Sequence, residues 1–168
     1  MTSAAAEPAV EDHVSLAAGE AATIEIDAGG AVAVTTLGAS DPLTEHQVNT
    51  ERAVTSGAYG AASGENHATL RGQPQQSEAT PIQPNVLRLR FMETPDHHMV
   101  LSLENGYPQG LRYHATIRRG DRSHSTDVCT LPPNFRGYES WSYHLDSLEL
   151  SGITLFPWTE TSQVTCQE

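Results

Sequence analysis

The chain has 168 residues, a formal net charge of −12 and an isoelectric point near 4.9, so a nucleic-acid backbone or an anionic membrane surface would repel it. It contains no lysine, which excludes Schiff-base chemistry and a Walker-type phosphate site. No apolar run in the sequence approaches the roughly 18 residues needed to cross a bilayer, and membrane insertion is not expected.

Residues 1–20 are small, Ala-rich and acidic and read as a flexible N-terminal segment. Such a start has the character of a mature terminus left when a signal peptide is removed, although a cytoplasmic protein with a frayed start would look the same. Residues 21–168 then read as one domain. Within it Thr23 to Asp27 and Val32 to Thr36 alternate with period two around Asp27-Ala28-Gly29-Gly30, the pattern of a hairpin with Ile24, Ile26, Val32 and Val34 facing inward. Residues 38–85 are rich in Gly, Ala, Ser, Thr, Gln and Asn and read as a long irregular insertion. Asp41-Pro42 offers a helix start there, an N-cap followed by proline, but Leu43, Val48 and Val54 are too sparse to define a packed face.

From Val86 the alternation becomes regular. Leu87, Leu89 and Phe91 share one face opposite Arg88 and Arg90, and Thr94-Pro95-Asp96 turns the chain into Met99, Leu101 and Leu103. Asn105-Gly106 and Pro108-Gln109-Gly110 mark the next turn, followed by Leu111, Tyr113, Ala115 and Ile117 inward with Arg112, His114, Thr116 and Arg118 outward. Arg119-Gly120-Asp121 turns again into Ser123 to Val128. After a Pro-rich loop come Glu139, Trp141, Tyr143 and Leu145 on one face, then Leu148, Leu150, Ile153 and Leu155. Eight or so short strands separated by turn signals, with little helix, predict an all-β fold: an antiparallel β-sandwich, immunoglobulin-like or jelly-roll-like. Residues 86–168 hold nine of the ten aromatics and 27 large apolar residues, against 14 in residues 1–85 without Met1, so the core is expected in the second half.

The two cysteines are Cys129 and Cys166. A bridge between them would staple the C-terminal tail and, in the chain-entropy model, contribute roughly 4 kcal/mol. It would also place the protein in an oxidising compartment, periplasmic or extracellular, whereas two free thiols would leave a cytoplasmic address open.

Four constellations could carry chemistry. Asp96, His97 and His98 in one turn, with His114 and His124 on neighbouring strands, are candidate ligands for zinc or copper, although no known site has their spacing. His114 and His124 lie near each other if their hairpin loop has three residues. The aromatics Trp158 and Tyr138, with Glu139 beside them, are candidates for an exposed glycan platform, against the alternative that aromatics are core material. Arg119-Gly120-Asp121 matches an integrin-binding tripeptide and equally an ordinary tight turn. Ser123, His124 and Asp127, or Ser142, His144 and Asp146, supply the residue types of a catalytic triad, yet neighbours on one strand alternate faces and no nucleophile elbow frames them. No cofactor signature is present and none is expected. The reading is an exported, non-catalytic binding or interaction module with a protein or glycan partner, a carbohydrate-binding module on exposed aromatics and a periplasmic metal-binding protein being the alternatives.

Overall fold

Period-two alternation becomes strands wherever one face can be buried. The computed structural model describes residues 11–55, 67–69 and 81–167. Among these, the strands are β1 (His13–Ala17), β2 (Glu20–Ile26), β3 (Val32–Ala39), β4 (His67–Thr69), β5 (Leu87–Glu93), β6 (Met99–Asn105), β7 (Gly110–Arg119), β8 (Arg122–Thr126), β9 (Val128–Cys129), β10 (Phe135–Trp141), β11 (Ser147–Phe156) and β12 (Cys166–Gln167), with one helix, α1 (Glu45–Thr55). A four-stranded sheet runs β1-β11-β7-β8 and a six-stranded sheet runs β3-β2-β5-β6-β10-β4. All of their pairings are antiparallel. The two sheets pack face to face as an all-β sandwich, and β9 pairs with β12 beside them.

The interior is built from the alternation. Ile24, Leu87, Leu89, Phe91, Met99, Leu101 and Leu103 of the six-stranded sheet meet Val14, Leu16, Leu111, Ile117, Leu148 and Leu150 of the four-stranded one, all at most 2% exposed. Trp141 joins them edge-on to Phe91, ring centroids 6.2 Å apart, and its indole N–H donates to the Thr126 hydroxyl at 3.1 Å.

Several expectations are corrected. The segment read as flexible, 1–20, contains β1, whose Val14 and Leu16 are 1% and 0% exposed; with β2, β3 and β4, the first half supplies four sandwich strands. Residues 1–10 lie outside the described residues. The insertion read across 38–85 holds α1 and β4, the remainder of 56–80 being outside the description. The helix does not start at Asp41-Pro42. Thr44 caps it, its hydroxyl accepting from Gln47 N–H while the Gln47 side chain accepts from Thr44 N–H, the reciprocal pair of a capping box.

Tyr143 leaves the sheet, because β10 ends at Trp141; the residue is 37% exposed, with the Arg119 guanidinium over its ring. The change of phase from Leu148 and Leu150 to Ile153 is a bulge between Ser151 and Thr154, where Gly152 takes a φ of +58°, a conformation that costs glycine little.

Candidate functional site

Arginines organise the outer face of the six-stranded sheet. Register places Thr23, Arg88, Glu104 and Arg136 in one cross-strand row and Ala21, Arg90, Ser102 and Tyr138 in the next. Alternating charges on neighbouring strands attract directly across the ladder. Arg136 forks onto one Glu104 oxygen at 2.9 and 3.0 Å, while Arg88 stands 3.8 Å from the other, which makes no hydrogen bond. Helix α1 crosses this face and lowers Glu51, 1% exposed, onto Arg90. Val54 packs there with Val100 and Tyr138 in a small second core. Burial pushes the Glu51 carboxyl up against the downward pull of the Arg90 guanidinium.

Where α1 stops covering the sheet, a groove of about 500 Å³ opens between the sheet, the end of β3 and the Ser40 to Thr44 connection. Arg88, Arg90, Ser102 and Glu104 line it on the sheet side, with Asp41 and Gln47 opposite. The Arg88 side chain is 47% exposed, so its guanidinium is the strong donor within reach of a solute. The cluster of Arg88, Arg90 and Arg136 with Glu51, Glu104 and Asp41 carries no net charge, an arrangement suited to a neutral, hydrogen-bonding ligand.

The residues singled out in the sequence are distributed differently. Tyr138 and Glu139 are 5% and 3% exposed and point to opposite faces of β10, so they form no common surface with Trp158. Glu139 faces the interior, where its carboxylate accepts from Cys129 N–H at 2.8 Å and from the Tyr113 hydroxyl at 3.3 Å; burial pushes the Tyr113 phenol far up. Trp158 is half-buried against Phe156, ring centroids 5.9 Å apart. Cys129 and Cys166 are directly paired across β9 and β12 and form the disulfide.

The histidines do not assemble as a metal site. Asp96, His97 and His98 stay in the β5–β6 turn, where Thr94 and His98 bond each other's backbone. His114 lies opposite Ser151, on the outer face of the four-stranded sheet, while His124 lies opposite Ile117 and therefore on the other face. The hairpin has a two-residue turn, Gly120-Asp121, with Arg119 opposite Arg122. One residue fewer in the loop than expected flips His124 across the sheet. Among the described residues no three His, Cys, Asp or Glu side chains converge on a metal position.

What the turns do bring together is a chain of acids and histidines that the sequence reading did not join: it named His97 apart from His144 and Asp146, and did not name Glu93. Glu93 lies 3.3 Å from His97 and 3.7 Å from His144, whose other nitrogen is 3.3 Å from Asp146. Asp146 accepts from Gly120 N–H, and this bond, reinforced by His144 and Arg118, holds its carboxyl below the usual range. These contacts tie three turns at one end of the sandwich; they place no nucleophile against a base. No family model matches the chain, and neither a curated protein nor a solved structure matches it.

Proposed function

We propose that the protein is a non-catalytic binding module acting outside the cytosol, and that its ligand seat is the polar groove over Arg88. The single observation that carries this reading is the half-exposed Arg88 guanidinium at the margin of a charge-balanced groove. It can donate two hydrogen bonds to vicinal hydroxyls, with Ser102 and Gln47 nearby as further partners. A neutral saccharide is therefore the ligand class, taken in a groove rather than on an aromatic platform. The Cys129–Cys166 disulfide supports an oxidising compartment.

Calorimetric titration with a panel of neutral oligosaccharides tests the proposal. Binding is expected to weaken about tenfold in Arg88→Ala, the scale of one lost charge-assisted hydrogen bond, and to persist in Trp158→Ala. Loss on Trp158→Ala with retention in Arg88→Ala would move the site to the Phe156–Trp158 edge. A panel without a single binder would sink the saccharide class.

A further inference from the structure

The stretch from Gly110 to Thr126, which forms β7 and β8, carries four arginines and one acid, net +3, in a chain of −12, so all other residues together carry −15. Its arginines are also placed differently from those of the six-stranded sheet. Arg88, Arg90 and Arg136 each face a glutamate. Among the described residues, no carboxylate forms a salt bridge with Arg112, Arg118, Arg119 or Arg122. Asp146 is hydrogen-bonded to Gly120 N–H and His144, Glu93 faces His97 and His144, and Arg118 donates its Nε–H to the Gly120 carbonyl at 3.2 Å.

Two of these arginines are set against each other. Arg119 and Arg122 are directly opposite across the two-residue turn, and like charges in that position destabilise a hairpin. The turn forms nonetheless because Gly120 takes a φ of +61°, its N–H is held by Asp146, and Arg119 rests on the Tyr143 ring 5.8 Å away. A carboxylate arriving between the two guanidinium groups would convert this repulsion into two attractions.

Among the described residues no further strand pairs with the backbone beside them. β8 is the last strand of its sheet, and Arg122 to Ser125 are exposed. In an antiparallel ladder, alternate residues of such an edge strand aim N–H and C=O away from their only partner. The side chains alternate too: Arg122 and His124 lie on one side of β8, Ser123 and Ser125 on the other. β3 is likewise an edge, but its sequence Val32–Ala39 carries no charge with which to choose a partner. The β1 edge is tied to the other sheet by the bond from Glu11 N–H to the Val32 carbonyl.

We propose that β8 is a docking edge for an extended acidic segment of another protein, which adds as a fifth strand with carboxylates at every second position facing Arg122 and His124. Backbone hydrogen bonds supply the pairing, and the spacing of the charges supplies the selection. The surface lies apart from the groove, and the proposal stands whatever that groove binds.

The test uses the full chain and a fluorescein-labelled octapeptide of alternating glutamate and threonine, followed by anisotropy. Three changes are each expected to weaken binding about tenfold or more: regrouping the same residues into a glutamate block and a threonine block, N-methylating alternate amides, and Arg122→Glu. Because Arg122→Glu replaces a like-charge pair with an opposite-charge pair, its melting temperature should hold or rise, so lost binding cannot come from unfolding. Bound peptide should also slow amide exchange in β8. Equal binding of the alternating and block peptides, or no effect of N-methylation, would overturn the strand site in favour of a diffuse basic patch. Absence of binding would mean that the edge charges serve only to prevent strand-to-strand aggregation.

Discussion

The sandwich has two outer faces, built on the same alternation and finished in opposite ways. On the six-stranded sheet the outward row Arg88, Glu104, Arg136 pairs charge with charge, and α1 covers the neighbouring row with Glu51 and Val54. On the four-stranded sheet the outward positions are mostly small and hydroxylated, with one charge in each row and, among the described residues, no cross-strand ion pair: Ser15, Glu149, Thr116 and Ser125 in one row, Ala17, Ser147, Arg118 and Ser123 in the next. No element among the described residues lies over them. The first face acts as a second core in which charge is neutralised under a lid, and the second stays hydrated. What the contrast teaches is that arginine has two uses here. Paired and half-covered, it fastens a helix to a sheet; unpaired on a strand edge, it remains available.

The largest way to break this contrast is Glu51→Ala. It leaves the Arg90 guanidinium, 14% exposed, without its carboxylate, and removing one partner of a buried pair costs about 3–5 kcal/mol. Urea denaturation should register that loss together with a less protected α1. A cost below about 1 kcal/mol would mean that Arg90 turns into the groove and finds water, and that the covered face is less closed than its packing implies.

The two faces meet along β9 and β12, where Cys129 donates its N–H to Glu139 of one sheet while Leu111 of the other bonds Leu131 two residues further on. Cys166→Ala removes a crosslink spanning 37 residues and should cost up to roughly 4 kcal/mol. The sandwich should stay folded, because the tail contributes none of its fully buried residues. Intact-mass analysis after alkylation provides the check: native protein should offer no alkylatable thiol before reduction and two after it.

Much of the fold was legible because alternation is a local signal. The strands β5, β6 and β7 each carry three large apolar residues at period two, β11 carries two such pairs on either side of its bulge, and all form as read. β1 offers only Val14 and Leu16 between His13, Ser15 and Ala17 in an Ala-rich, acidic setting, so it passed for a flexible end; its burial comes from β11, more than 130 residues later. Tyr143 continues the period of β10 by two residues, but the chain leaves the sheet at Ser142, and nothing in the alternation marks that exit. The α1 start was available in Thr44 and Gln47 and was masked by the stronger-looking Asp41-Pro42. The groove was not legible, since it takes side chains from β2, β5, β6 and α1 that only the strand order brings together. The disulfide was readable by counting, there being two cysteines. The separation of His114 from His124 depended on one residue of loop length.

A smaller effect separates the faces by pH. The Glu51 carboxyl is raised above 4.5 by burial, so the folded state holds this proton more tightly than the unfolded chain does. The stability it contributes is present below pH 4.5 and is lost as the pH rises through the elevated native value. Asp146 has the opposite sign: its pKa is lowered below 3.8 by the bond from Gly120 N–H, and its contribution is present above that value and lost as the pH falls through the native one. Subtracting the pH–stability profile of Glu51→Gln from that of the parent should leave a segment falling with pH above 4.5, and Asp146→Asn should remove a rising segment in more acid solution. A Glu51 difference that climbs with pH would show the Arg90 attraction outweighing burial.

The smallest effect is expected on the open face. Glu149 is exposed on β11, flanked across the ladder by Ser15 and Thr116, and no salt bridge or hydrogen bond engages its side chain among the described residues. Exposed substitutions of this kind stay within about 0.5 kcal/mol, so Glu149→Gln should leave the denaturation midpoint almost unmoved. Because it also deletes a negative charge two strands from β8, it should slightly strengthen binding of the alternating glutamate peptide at low salt, an effect that disappears when salt screens the distance. A stability loss above about 1 kcal/mol would contradict the hydrated reading of this face, since a solvated carboxylate with no partner has nothing of that size to lose. The same loss would point to a cover over the four-stranded sheet, and hence to a second layer on the side where arginine was taken to be free.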